Sequence, residues 1–303
     1  MSKDRDAAVE TLAWLVEGGA DEAIEDSPKD RLATGPEARG SAAGRGGHDG
    51  PAAAAKQPGP GHHPSPAPDA REDSRRASPQ GSFRQPAAGE LQSSDAAVSS
   101  ARHAAAAAHT IEELKEALLR FEGCPLKATA TNLALYDGNP GAQVMIIGEA
   151  PGAEEDRQGL PFVGAAGHLL DRMLAPIGLD RDSVYITNLL FWRPPGNRSP
   201  TASEVAACLP FLERQVELVD PAFLLLLGAS SVKTLLARQE GILKLRGRWA
   251  HYQHAGLVRP IPAMPTLHPA YLLRQPAQKR LAWRDFLAFQ QAVQSGQDPL
   301  TAI

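Results

Sequence analysis

Between Leu32 and Leu91 the chain carries no Ile, Leu, Val, Met, Trp or Tyr, and one aromatic residue, Phe83. Such a stretch buries too little apolar surface to offset the entropy of ordering its backbone. It divides the 303 residues into an Ala-, Gly-, Pro- and Ser-rich N-terminal part and a remainder of 194 residues, ample for one well-packed domain. The expected organisation is an amphipathic helix within residues 1–20, a disordered linker over 21–109, and a folded domain over 110–303. In the first segment Ala7, Ala8, Leu12, Ala13, Leu15 and Val16 recur at helical spacing around Trp14, and Gly18-Gly19 ends the pattern. A solvated helix is the plainer reading; a recruitment peptide for a protein partner is the sharper one. The linker contains Pro-Gly-Pro-Gly at 58–61 and a poly-Ala run at 104–108.

Charge divides along the same line. Residues 1–109 hold 12 basic against 16 acidic side chains, and residues 110–303 hold 19 against 19. A neutral domain has no uniform positive field, so contact with nucleic acid requires a local basic face. Two cysteines, Cys124 and Cys208, argue against a disulfide scaffold and fit a reducing compartment. With no signal peptide and no apolar span in evidence, a cytoplasmic monomer without membrane contact is expected.

From residue 110 onward helical and strand patterns alternate. Thr110 with Glu113 resembles a capping box opening a helix through Leu119. Apolar runs at 144–147, 184–187, 223–227 and 261–266 read as strands, and glycines follow the first and third. Helical spacing covers 169–177, 203–219 with Thr201 as N-cap, 230–238 and 280–293. The alternation predicts a three-layer α/β/α sandwich with a mainly parallel four-stranded central sheet. Ligands of such sheets bind beyond the C-terminal strand ends. Here those ends lead into residues 148–152, Asn188, residues 228–231 and His268-Pro269.

The most informative stretch is GEAPGAEEDRQGLPFVGAAGHLLD at 148–171. A Gly-rich loop after a strand is weak evidence alone, and it matches neither the dinucleotide fingerprint nor the P-loop spacing. Together with YITNLLFWRPPGNRSPT at 185–201, LLLLGASSVKTLL at 224–236, KLRGRW at 244–249, TLHPAYLLR at 266–274 and KRLAW at 279–283, it resembles the uracil-DNA glycosylases. The form is that of family four, the thermophile-type, iron–sulfur-containing enzymes. The resemblance spans nearly all of 120–290 and none of the first 109 residues.

It implies excision of uracil from single- or double-stranded DNA, leaving an abasic site, with the base flipped out of the stack. Glu149 is expected to position or activate the attacking water. Family one has an aspartate at the next position, where this chain has Ala150, so activation rests on Glu149 or on Glu155 or Asp156. Neutral His268 is expected to stabilise charge on uracil O2. Asn188 is expected to pair with the O4 and N3–H edge of uracil, Phe162 to stack under the base, and Ala150 to border it. Val163, Gly164 and Ala165 are expected to wall the pocket. Each has a plainer reading as a turn, cap or core residue, which the motif context outweighs. For DNA, Ser230 and Ser231 at a helix start, Lys244, Arg246, Arg248 and Arg274 are candidate phosphate contacts. Arg193, Arg198, Lys279 and Arg280 are further basic candidates. Tyr271 and Leu272 are candidates to wedge into the stack.

The family-four pattern has four cysteines holding a [4Fe–4S] cluster. The matching positions here are Phe121, Cys124, Trp192 and Cys208. With half the ligands replaced by aromatics, no cofactor and no metal are expected, and Cys124 and Cys208 are remnants of that pattern. Three rival readings stand beside this one: a broader glycosylase acting on hypoxanthine, a non-catalytic nucleic-acid-binding protein, and covalent capture of the abasic site. The last requires a histidine-bearing insertion that is absent between Asp156 and Gly164.

Overall fold

The computed structural model describes residues 94–301. The helix expected within 1–20, and the linker up to residue 93, lie outside the described residues. The chain order is α1 (Ser94–Ala106), α2 (Ile111–Arg120), β1 (Asp137–Gly138), β2 (Val144–Gly148), α3 (Ala153–Gln158), α4 (Ala165–Leu174) and β3 (Val184–Asn188). There follow α5 (Ala202–Val219), β4 (Phe223–Leu227), α6 (Ala229–Leu235), α7 (Ile242–Leu245), β5 (Ala250–Tyr252), β6 (Ile261–Thr266), α8 (Pro269–Arg274) and α9 (Lys279–Ser295).

The sheet order is β1-β3-β2-β4-β6-β5. The four central strands are mutually parallel, and β1 and β5 pair antiparallel at the two edges. The central strands are those read from the sequence, and every residue of each is buried, as a parallel sheet covered on both faces requires. Side chains alternate between the layers. Met145, Ile147, Leu224 and Leu226 face α1, α2 and α5. Val144, Ile146, Leu225 and Leu227 face α4, α8 and α9. The expected four strands become six because β1 and β5, of two and three residues, are too short to leave a periodic signature.

Residues 94–108 correct the position of the domain boundary. Their composition places them in the linker, yet Ser94–Ala106 is a helix packed on α5. Ala97, Ala101, Ala105 and Ala108 are buried at three- and four-residue spacing, and Arg214 Nε donates to Ala108 O at 2.9 Å. Alanine has the highest helix propensity and lets helices approach closely, but an all-alanine stripe has the composition of a low-complexity tract.

The caps behave as read. Thr110 Oγ1 accepts from Glu113 N at 3.1 Å, while Glu113 reaches back to His109 N at 2.7 Å. Thr201 and Glu204 form a reciprocal capping box on α5.

Candidate active site

The C-terminal ends of β2, β3, β4 and β6 open into one cleft of about 680 Å³. Glu149, Ala150, Phe162, Asn188, His268, Tyr271 and Arg274 all line it. Parallel strands carry these residues to one rim although they lie far apart in sequence.

Glu149 follows β2. Its Oε2 accepts from Ser230 Oγ at 2.5 Å, at the start of α6. The other two carboxylates considered for water activation are committed to the backbone. Glu155 accepts from Gly152 N at 3.0 Å and Gly164 N at 2.9 Å, tying the two ends of the loop together. Asp156 Oδ1 accepts from Thr131 N at 2.8 Å and Asn132 N at 3.1 Å. Glu149 and Glu155 both line the cleft, but of the three carboxylates Glu149 alone has a hydroxyl partner in place of backbone N–H partners.

Asn188 ends β3 and is buried, with Oδ1 unpartnered. An unpaired buried carbonyl costs about 1–3 kcal/mol, so it marks a place for a donor. The Phe162 ring and Asn188 Oδ1 converge over the α-carbon of Gly148, where any Cβ would collide with both.

Phe162 itself is held in the left-handed region, with φ of 55°, a conformation that a bulky residue keeps only when its surroundings impose it. Arg181 supplies part of that restraint. It donates to Phe162 O and pairs with Asp137 and Asp171. Gly167 supplies the rest, since a side chain there would strike the Phe162 carbonyl. Arg181 is a positioning residue that lies in a turn outside every motif, so no sequence signal singles it out.

His268 is the N-cap of α8. Its Nδ1 accepts from Ala270 N at 3.1 Å, which leaves the proton of the neutral ring on Nε2. Burial, reinforced by the Arg274 guanidinium, pushes it down to about 4. Its ring lies 5.6 Å from that of Phe162, inclined by 28°. The cleft thus offers a carboxylate, an amide oxygen, an aromatic platform and a neutral N–H donor around one volume. The pocket wall meets Ala166 rather than the expected Val163, Gly164 and Ala165.

Several expected DNA contacts need correction. Ser231 is fully buried, and its Oγ donates to Leu227 O and Gly228 O. Arg246 is paired with buried Asp285 and donates to Leu281 O. Leu272 is fully buried on the core-facing side of α8 and cannot enter a base stack. Lys279 is also buried. Lys244, Arg248, Arg274 and Arg280 are exposed, and Ser230 is spent on Glu149. Arg193 donates to Asn197 Oδ1 at 2.8 Å, and Arg198 pairs with Glu204, whose carboxyl is lowered to about 2 mainly by that pairing.

Away from the cleft, Cys124 and Cys208 are free and buried, their sulfurs 3.9 Å apart. Hydrogen bonding between them holds Cys124 below the ordinary thiol value and raises Cys208 well above it. Phe121 and Trp192 are buried beside them in the same core cluster. Phe121 packs edge-on against Phe211 at 5.1 Å, and Trp192 meets Phe191 at 6.4 Å. A [4Fe–4S] cluster takes four thiolates. Two of the four positions here hold rings with no ligating atom, so the residues present do not fit that group.

A parallel α/β sheet with this ring, amide, carboxylate and neutral imidazole at its strand ends defines an enzyme-like site for a planar, hydrogen-bonding heterocycle. The sequence pattern of the Uracil DNA glycosylase superfamily matches residues 135–287. The type-4 uracil-DNA glycosylase of Sulfurisphaera tokodaii is 38% identical over 185 residues, covering 58% of this chain and 82% of that protein. That of Thermotoga maritima is 39% identical over 165 residues, covering 54% and 83%. The type-5 uracil-DNA glycosylase of Pyrobaculum aerophilum is more distant, 34% identical over 114 residues, covering 33% and 50%. The chain belongs to the uracil DNA glycosylase superfamily.

Proposed function

We propose that this chain hydrolyses the N-glycosidic bond of uracil in DNA and leaves an abasic site, with Glu149, Phe162, Asn188 and His268 as the working residues. The observation that carries the site assignment is the buried, unpartnered Asn188 Oδ1 beside the Phe162 ring. Uracil presents N3–H to that oxygen. Cytosine presents a lone pair at the same position, leaving two acceptors facing each other and an unsatisfied amide.

Glu149, steadied by Ser230, orients a water and takes its proton as the water oxygen bonds to C1′. The C1′–N1 bond breaks as the sugar becomes cation-like. Its electron pair goes to uracil, and His268 Nε2–H stabilises the resulting charge at O2. A neutral imidazole suits this task, because the low pKa of His268 keeps it a donor without a proton to lose to solvent. Lys244, Arg248 and Arg274 meet backbone phosphates.

No helix among the described residues is long and apolar enough to cross a membrane. In this proposal the enzyme works as a cytoplasmic monomer, and the segment 1–20 serves a protein partner. The test is release of labelled uracil from U:G, U:A and single-stranded oligonucleotides, with hypoxanthine substrates alongside. Release of uracil is expected. DNA binding without release of any base makes the chain a binding module, and preferential release of hypoxanthine makes it a broader deaminated-base enzyme.

A further inference from the structure

Flipping a base from a duplex leaves a gap in the stack, and enzymes that do this commonly insert an apolar side chain there. With Leu272 buried, and Tyr271 half-buried and packed against the same core layer, a freely exposed apolar side chain must come from elsewhere. Among the described residues the large apolar side chains left exposed are Leu119, Leu160, Leu243, Val258, Leu273 and Leu287. A single exposed leucine needs no explanation by itself. Leu243 differs in place: of these six it alone lines the cleft, and it is 59% exposed.

Its element is built to present it. In α7, Ile242 and Leu245 lie on one face, three residues apart, and pack onto the core. Leu243 and Lys244 are thereby turned outward, and both are exposed. The short helix is anchored behind this tip. Gly247 N donates to Pro265 O at 2.9 Å. Arg246 Nε donates to Asp285 Oδ2 at 3.0 Å, and Thr266 Oγ1 donates to the same oxygen at 2.7 Å. Arg246, expected to be a phosphate contact, is instead the strut that ties α7 to β6 and α9. Exposed Lys244 and Arg248 flank the tip, and Arg274 lies on the cleft, so cations stand where phosphates on either side of an inserted residue would pass.

We propose that Leu243 is the wedge that enters the DNA stack as uracil leaves it, carried on an α7 anchored by Arg246 and Asp285. The inference rests on the uracil-excision reading, and its test separates the two. Leu243→Ala and Leu243→Met are compared with the unaltered full chain on duplex and single-stranded uracil DNA. In parallel, a duplex carrying a hydrolysis-resistant uracil nucleotide beside a fluorescent purine analogue reports unstacking on binding, whether or not chemistry follows. Leu243→Ala is expected to lose about tenfold or more in duplex activity, where unstacking costs a few kcal/mol, and little on single strands. It is also expected to lose the emission rise, with Leu243→Met restoring both. Equal loss on the two substrates, or no loss, overturns the wedge. So does uracil release by the unaltered protein without any emission rise. An emission rise that depends on Leu243 in a protein releasing no uracil supports the wedge and overturns the excision reading instead.

Discussion

The cleft and the cysteine pair both descend from motifs of one family, and they have diverged to different degrees. At the strand ends, Glu149, Phe162, Asn188 and His268 stand where the motifs place them, and the fold brings them around one volume. At the cysteine pair, two of the four positions carry rings. The two regions make different physical demands. For the proposed excision of uracil the cleft would need particular atoms, namely an acceptor for N3–H, a donor at O2 and a carboxylate for water. The other region needs the ends of α2, the β3–α5 loop and α5 to be held together. Close-packed aromatic volume meets the second demand as well as a metal cluster does, but no apolar residue meets the first. The regions are joined through the chain itself. Asn188 and Trp192 lie four residues apart, and Leu189 N and Leu190 N donate to Gly148 O and Glu149 O, each at 3.1 Å.

The largest effects should fall on opposite sides of this division. Glu149→Gln keeps the side-chain shape and its Ser230 partner while removing the charge, so kcat for uracil release should drop about 10²–10⁴-fold with the thermal midpoint little changed. Trp192→Ala should do the reverse. It removes a buried ring and should cost about 3–5 kcal/mol of stability, with kcat preserved in the fraction that folds. Paired thermal melts and single-turnover assays measure both. If Trp192→Ala lowers kcat as severely as Glu149→Gln, the aromatic region is part of the catalyst and the comparison fails.

A smaller and more reversible effect sharpens the same contrast. Restoring the two missing thiolates with Phe121→Cys together with Trp192→Cys should allow a cluster to assemble under anaerobic reconstitution with iron and sulfide. The unaltered protein should take up none, as read by bound iron, acid-labile sulfide and visible absorbance. Stoichiometric iron in the unaltered protein would contradict the packing account. A double variant that binds no iron would show that the loops no longer have the geometry for a cluster.

Much of this was legible in the sequence, for physical reasons that differ between elements. The four central strands announce themselves because burial on both faces leaves continuous apolar runs such as Phe223–Leu227, and the strand ends then point to the cleft. What escaped was set by tertiary partners. β1 and β5 exist only as edges laid against β3 and β6. The alanine stripe of α1 becomes a core face only once α5 is beside it. Arg246 and Leu272 read as DNA contacts from their motifs, but Asp285 and the α4–α9 layer claim them. Arg181 is invisible until Phe162 is seen at positive φ with its carbonyl in need of a restraint.

The smallest predicted effect tests the most specific electrostatic statement about the cleft. Burial is the main cause of the lowered His268 pKa, and the Arg274 cation adds to it. Arg274→Gln should therefore move His268 upward from about 4 while leaving it below the ordinary 6.5, because desolvation, the larger cause, remains. The sign carries into stability. As pH falls below 6.5 an unfolded chain gains a proton that the folded ring refuses, so this group's stabilising contribution, complete above that value, is lost as pH falls toward 4. Arg274→Gln should narrow that window from its acid side. Ring nitrogen and carbon shifts of His268, followed by NMR in the DNA-free protein, give the titration and the tautomer directly. A ring that titrates near 6.5 regardless of residue 274 contradicts the electrostatic account of His268, and one that carries its neutral proton on Nδ1 removes the N–H donor assigned to uracil O2. The contrast between an atom-specific cleft and a merely space-filling aromatic region would then have to rest on Glu149 and Asn188.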